Sequence, residues 1–422
     1  MKTKAVRIYG KNDLRLEEFD LPPMQDDEIL AHVISDSLCL SSYKAAIQGE
    51  EHQRVPDNVR ENPTIIGHEF CGEIIKVGKK WQQEFHPGEK FAIQPALNYQ
   101  GTLDAPGYSF AYIGGDATYI IIPNQVMEMN CLLPYKGEAF YGGSLAEPMS
   151  CIIGAFHTSY HITPGEYIHH MGIKEKGNMM IMGGAGPMGL GMIDYALHRE
   201  QKPGVLVITD VDNQRLERAV RIFSIDSAKK LGVNLIYINP QRDKNIRDLL
   251  ISLAGGKGKG YDDIFVMAPI REMVELADFL LDRDGCLNFF AGPTDAQFSA
   301  SVNFYNIHYL STHLVGSSGG NTDDMIESLK MMEKNLINPA AMITHIGGLN
   351  CVVDTTLNLP KIPGGKKLIY TNIKMDLIAL ADIQQKAKDD PLMRELAKIL
   401  SRTNGLWSPE AEKYLLTQAQ PI

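Results

Sequence analysis

The stretch "NMMIMGGAGPMGLGMIDYALHRE" (Asn178 to Glu200) constrains the fold more than any other part of the chain. An apolar strand pattern runs into Gly184-Ala185-Gly186-Pro187-Met188-Gly189, a G-x-G-x-x-G, and then into a helix pattern. The next strand, "GVLVITD", ends in Asp210. Glycines at this spacing let the backbone turn tightly and approach a pyrophosphate, whose charge a helix N-terminus stabilises. Gly184, Gly186, Pro187, Met188 and Gly189 are therefore expected to border a dinucleotide; the alternative is a glycine turn that only packs helix on strand. Asp210 lies 26 residues after Gly184 and is expected to accept bonds from an adenosine ribose and repel a 2′-phosphate. NAD(H) is favoured on that ground, while Arg215 nearby leaves NADP(H) possible.

Strand and helix patterns keep alternating through "NQRLERAVRIF", "NLIYINP", "NIRDLLISLAG", "YDDIFVMA", "REMVELADFLLDRDG" and "CLNFFAG". That alternation predicts right-handed crossovers and a doubly wound parallel sheet, so the fold class is α/β. Ligands of such sheets sit at the carboxyl ends of the strands, which places a nicotinamide near Ala268 and Ala291, in a cleft between domains. The first third of the chain reads differently. "AVRIYG", "EILAHVIS", "CGEIIKVG", "KFAIQPA" and "ATYIIIP" are short β runs between turn residues, a mostly-β domain. A chain of 422 residues exceeds one core, and the expected division is 1–158, a dinucleotide domain 159–338, and 339–422 returning to the first domain with C-terminal helices. "PGEYIHHMGIKEKGN" (Pro164 to Asn178) reads as a polar connection. Helices are predicted from Asp323 with Thr322 as N-cap, and after Asp390 with Pro391 at the first position.

A net charge of −10 argues against a surface that wraps nucleic acid. Six scattered cysteines without a C-x-x-C pair fit a reducing cytoplasm, the N-terminus lacks a signal-peptide core, and no stretch reads as a membrane span.

Within "IIGHEFCGEIIKVG" the pair His68-Glu69 sits in an apolar strand context, where charge needs a partner. Cys39, the pair His68-Glu69, and Glu147 in "SLAEPMSC" are the candidate metal ligands of the first domain. Thiolate, imidazole and carboxylate with an open position form a catalytic zinc set. Spacing alone does not bring them together; singly, His68 also reads as a core histidine and Cys39 as a small buried hydrophobe.

"GHEFCGEIIKVG" resembles the G-H-E-x-x-G-x-V-x-x-V-G signature of zinc-containing medium-chain alcohol and polyol dehydrogenases, "CLSSYKAA" their Cys-x-Ser segment, and "HPGEKFAIQP" the turn after it. "GGDATYIIIP" and "AEPMSC" are similar to two further motifs in the same order. The resemblance implies a GroES-like catalytic domain beside the Rossmann domain. It also implies zinc held by Cys39, His68 and either Glu69 or Glu147, Ser41 passing the substrate proton, and a homodimer or homotetramer. The family's Cys-Gly-Ser-Asp stands here as Cys39-Leu40-Ser41-Ser42, without the Asp that orients the metal histidine. The region Gln94 to Gly115 has none of the four cysteines of a structural zinc lobe, so one metal per chain is expected.

"CLSSYKAAIQGEEHQRVPDNVRENPTIIGHEFCG" and "THIGGLNCVVDTTLNLPKIPGGKKLIYTN" resemble in detail the L-sorbose 1-phosphate reductase group within that family. This implies reduction of a ketose 1-phosphate to a hexitol 6-phosphate with NADH or NADPH. A phosphate needs Arg or Lys donors, and Lys44, Arg54, Lys366 and Lys367 are the candidates. The alternatives are a polyol dehydrogenase acting on unphosphorylated sugar alcohols, a metal-free reductase of the same fold, and a dinucleotide-binding protein without catalysis.

Overall fold

The structure, a computed structural model, describes residues 1–422. Two compact units emerge, Met1–Pro148 with Asn321–Ile422, and Met149–Gly320. These divisions fall before residues 158 and 338, for an identifiable reason. Helix Thr322–Glu333 packs with the first unit: Ser328 Oγ donates to the Ala146 carbonyl, and Gln94 Nε2 donates to the carbonyl of Asn321.

The first unit is built on an eight-stranded sheet. Its path runs Ile378–Ala379, Ile343–Gly348, Lys366–Tyr370, Ile29–Leu38, Phe70–Val77, Lys90–Ile93, Leu132–Pro134, with Tyr119–Ile122 also pairing Ile29–Leu38. A smaller sheet pairs Lys2–Gly10 with Asp13–Asp20 and Thr64–Ile65. Ile29, Ala31 and Val33 alternate into a core with Phe70, Ile74, Phe91 and Ile120, the period-two burial that drives strand formation. Lys366–Tyr370, from the last quarter of the chain, lies between Ile343–Gly348 and Ile29–Leu38. Its neighbour Ile29–Leu38 is therefore paired on both sides by segments distant in sequence.

The second unit holds six parallel strands in the spatial order Asn234–Ile238, Val205–Thr209, Asn178–Met182, Tyr261–Val266, Leu281–Phe289, His313–Gly316. The order reverses between Asn178–Met182 and Tyr261–Val266, the switch point where such sheets bind ligands. Tyr261–Val266 is buried along its whole length, as a central parallel strand must be. Even its acidic residues are partnered: Asp262 by Lys174 and Asp263 by His161.

Three local expectations need correction. "LLDRDG" is not all helix: helix Arg271–Leu280 stops and strand Leu281–Phe289 begins at once, with Asp284 turning at φ 62°. Helix Thr322–Glu333 is capped by Asn321, not Thr322, because Asn321 and Asp324 form a reciprocal capping box. The segment read as a polar connection contains strand His169–Met171, which pairs with Tyr160–Ile162. Asp390 caps helix Pro391–Arg402 as expected.

Candidate active site

Cys39 ends the strand Ile29–Leu38 and, in extended conformation (φ −118°, ψ 149°), stands at the N-cap of helix Leu40–Gln48. Strand Phe70–Val77 runs antiparallel to Ile29–Leu38 with Phe70 opposite Asp36, so the end of one strand meets the start of the other. Gly67, at φ 98°, supplies the left-handed turn that brings His68 and Glu69 to that start. The result is one cluster: the ligand atoms of Cys39, His68 and Glu69 all lie within 4.8 Å of one another. His68 and Glu69 are buried.

The partner that buried Glu69 requires is Lys366. Its Nζ donates to Oε1 and Oε2 of Glu69 at 2.5 and 2.6 Å, with both side chains buried. Burial alone would lower the lysine's pKa, but Glu69, Cys39 and Glu147 outweigh it and hold the ammonium charged. This corrects the reading of Lys366 as a phosphate donor. Lys367 is likewise engaged, its Nζ donating to the carbonyls of Ile362, Pro363 and Gly365.

Burial also pushes the Cys39 thiol up to about 12, against the pull of Lys366, although part of the residue is accessible. Burial lowers His68 to about 4, which leaves a neutral imidazole able to ligate. Ser42 Oγ lies 3.1 Å from His68 Nδ1, so a hydroxyl takes the orienting place of the missing Asp. Tyr108 stands on the other side, its hydroxyl 3.4 Å from His68 Nε2. Ser41 Oγ is 3.7 Å from Cys39 Sγ and partly exposed. Glu147, in the first turn of helix Ala146–Thr158, faces the same cluster, since its charge raises both Cys39 and Lys366. Its carboxylate is nonetheless outside the trio that lies within 4.8 Å.

Two further acids are missed by the sequence reading, although Asp116 lies within "GGDATYIIIP". Asp36 Oδ1 accepts the Glu69 backbone N–H at 3.2 Å, and Asp116 is buried beside it. Burial, then the charges of Asp116 and Glu69, hold the Asp36 carboxyl well above the usual carboxylate range. The one signal that could reveal Asp36 is a lone Asp inside an apolar strand.

In the second unit, Asn178–Met182 passes through the glycine loop into helix Pro187–His198, with Pro187 in its first turn. A Cβ on Gly189 would lie 2.2 Å from the Gly184 carbonyl oxygen, so helix and loop touch backbone to backbone there. A Cβ on Gly186 would meet no protein atom within 4 Å, which leaves that face of the loop open. Asp210 is buried, and its Oδ2 and Oδ1 accept the N–H groups of Ala185 and Asp212 at 3.1 and 3.0 Å. The carboxylate thus ties the glycine loop to the second strand. Arg215 is half-exposed and 3.6 Å from Asp212, whose side chain caps helix Asn213–Ile222. Met188 follows Pro187 in the first turn of its helix. Ala268 approaches Gly183 at the end of the first strand, and the Ala291 N–H donates to the Val266 carbonyl, so both stand at the carboxyl edge of the sheet.

Comparison with known proteins fits this geometry. Residues 25–130 match the family model of the alcohol dehydrogenase GroES-like domain. L-sorbose 1-phosphate reductase of Klebsiella pneumoniae is 51% identical over 420 residues, 100% of this chain and 98% of that protein. The chain is a medium-chain dehydrogenase. It belongs to the zinc-dependent alcohol and polyol dehydrogenase family, in the L-sorbose 1-phosphate reductase group. This dehydrogenase is also 48% identical over 415 residues to mannitol-1-phosphate 5-dehydrogenase of Aliivibrio fischeri, 98% of this chain and 97% of that one. Its fold matches 2R,3R-butanediol dehydrogenase from Bacillus subtilis at a TM-score of 0.69 and 19% identity, over 88% of this chain and 100% of that chain. No helix of the dehydrogenase is long and apolar enough to cross a membrane.

Proposed function

We propose that this dehydrogenase reduces the keto group of a ketose phosphate to the alcohol of a hexitol phosphate, with L-sorbose 1-phosphate giving D-glucitol 6-phosphate. The observation that carries the reading is the buried gathering of Cys39, His68 and Glu69. A soft thiolate, a neutral imidazole and a carboxylate in one pocket suit a single zinc ion. The residues fit it further because Ser42 holds the ring through Nδ1, so that Nε2, which faces the Tyr108 hydroxyl at 3.4 Å, would be the nitrogen offered to the metal. Cys39, His68 and Glu69 would hold the ion, with Glu147 as the alternative carboxylate. Bound there, zinc supplies Lewis acidity toward the substrate oxygen.

The chain's own groups do the rest. Lys366 holds the Glu69 side chain in place by a buried ion pair in a site that water scarcely reaches. The hydroxyl of Ser41 hands a proton to the reduced oxygen. The open face at Gly186 admits the pyrophosphate, and Asp210 favours a free ribose hydroxyl, hence NADH over NADPH. The balance is one hydride from the reduced nicotinamide to the carbonyl carbon and one proton to its oxygen. The protein works as a homodimer or homotetramer of the cytoplasm, without nucleic-acid or membrane partners.

The test is oxidation of NADH and NADPH by purified, zinc-loaded protein with L-sorbose 1-phosphate beside L-sorbose and fructose. Higher kcat/KM on the phosphate ester is expected. Equal or greater activity on the free sugars would replace the reading with a plain polyol dehydrogenase.

A further inference from the structure

Of four cationic side chains that could meet a substrate phosphate, the structure commits two elsewhere, Lys366 to Glu69 and Lys367 to backbone carbonyls. Of the two that remain, Arg54 stands beside the metal trio. Arg54 lies with its guanidinium carbon 5.5 Å from the centre of the Tyr108 ring, and the His68 ring lies 4.9 Å from the same centre. Tyr108 is thus a shared wall between a cation and the candidate zinc histidine. Arg54 makes no ion pair, and its Nε is buried without a hydrogen-bond partner, a costly condition that a bound anion would relieve.

Local contacts hold Arg54 in this place through its backbone. Its N–H donates to His52 Nδ1 at 3.3 Å, and its carbonyl accepts the Ser109 hydroxyl at 2.7 Å. The first bond makes His52 a neutral ring with its Nε2–H free to donate, and that ring stacks on Tyr108 at 5.7 Å. Lys44, on helix Leu40–Gln48 directly after Cys39, is half-buried and also unpaired. Burial, then the charges of Arg54 and Lys44, lower the pKa of His52. Positive charge held in no ion pair, around a neutral donor, is complementary to a phosphate dianion.

We propose that Arg54, assisted by Lys44 and His52, forms the subsite that binds the phosphate of the ketose phosphate. The inference rests on the sugar-phosphate reading above and names the residues that give it. In L-sorbose 1-phosphate the phosphate-bearing carbon is bonded to the carbonyl carbon, so the phosphate must lie close to the metal trio. Arg54 and His68 meet this requirement across one tyrosine ring.

The test compares kcat/KM on L-sorbose 1-phosphate and on L-sorbose for wild type, Arg54→Ala, Arg54→Lys and Lys44→Ala. The ratio of the two values is expected to fall about 100-fold in Arg54→Ala and about tenfold in Lys44→Ala, mostly through KM. Arg54→Lys is expected to recover part of the ratio. Inorganic phosphate, as an inhibitor competitive with sugar phosphate, is expected to bind at least tenfold more weakly to Arg54→Ala. Thermal melting and NADH binding report folding, and Lys44→Ala, on a helix face, serves if Arg54→Ala is unstable. A wild-type preference for the ester that persists in both variants would overturn the subsite and leave the proposed function standing. A wild type without that preference would remove the proposed function; phosphate inhibition that still depends on Arg54 would then support the anion site alone, and inhibition independent of Arg54 would overturn it too.

Discussion

The two chemical centres of this chain are made in opposite ways. The nucleotide loop is a run of consecutive residues, Gly183 to Gly189, whose working surface is backbone, and what matters in it is the absence of side chains. The metal trio is made of side chains drawn from residues 39, 68 and 69 and supported by one from residue 366. The first centre fails when an atom is added, the second when one is removed. A local device of this kind needs only its strand and helix, whereas the other needs most of the first unit's sheet to be in register.

Removing a ligand should give the largest effect. Cys39→Ala is expected to lose bound zinc and about a thousand-fold in kcat, roughly 4 kcal/mol of barrier, while NADH binding persists. Metal analysis with steady-state kinetics and cofactor fluorescence checks it; retention of zinc stoichiometry would break the contrast between the centres.

Next is the supporting lysine. Lys366→Met leaves the Glu69 carboxyl without its partner in the interior, at a cost of about 3–5 kcal/mol in chemical denaturation of the metal-free protein. Adding Glu69→Gln to that variant is expected to restore more than half of the loss. A Lys366→Met protein as stable as wild type would mean that water or another cation reaches Glu69.

The glycine loop should respond to single methyl groups. Gly189→Ala, with a Cβ 2.2 Å from a backbone oxygen, is expected to lower both the melting temperature and NADH affinity. Gly186→Ala, with open space around it, should leave melting within about 0.5 kcal/mol of wild type and weaken NADH about tenfold. Similar melting shifts in both would show that Gly186 is a packing glycine.

The smallest effect is on pH. The Asp194 side chain raises the pKa of His198, and the aspartates Asp263 and Asp284 raise His161 against the opposing pull of burial. Both histidines have folded pKa values above their unfolded value of about 6.5. Their stabilisation is therefore complete below that pH and is lost as pH rises through the folded values. The melting temperature of the metal-free protein should fall slightly from pH 6 to pH 8, and less so in His198→Gln.

What is legible in the sequence is what depends on local physics. The strand, glycine loop and helix from Asn178 to His198 follow from periodicity and from the glycines. The convergence of Cys39 with His68 and Glu69 follows only from family resemblance, because strand pairing between Ile29–Leu38 and Phe70–Val77 is not a property of either segment alone. Lys366 misleads for the same reason. A lysine in "GGKKLIYTN" reads as a donor for a phosphate, yet its strand inserts beside Ile29–Leu38 and its carboxylate partner lies 297 residues away. Ser42 as the orienting group of His68 has no signature, since the family pattern puts an Asp at that position. The hairpin Tyr160–Ile162 with His169–Met171 is equally silent, because polar, histidine-rich strands carry little hydrophobic alternation.

The late arrival of strand Lys366–Tyr370 has a consequence for biosynthesis. As the chain leaves the ribosome, Glu69 emerges some three hundred residues before the ammonium that neutralises it. Until then the Ser35–Leu38 end of the strand Ile29–Leu38 lacks its neighbour along one edge, and the nascent first unit holds an uncompensated acid next to its metal ligands. Maturation of the centre must therefore wait for near-complete translation, and a nascent chain stalled before residue 366 should retain zinc poorly even with Cys39, His68 and Glu69 all synthesised.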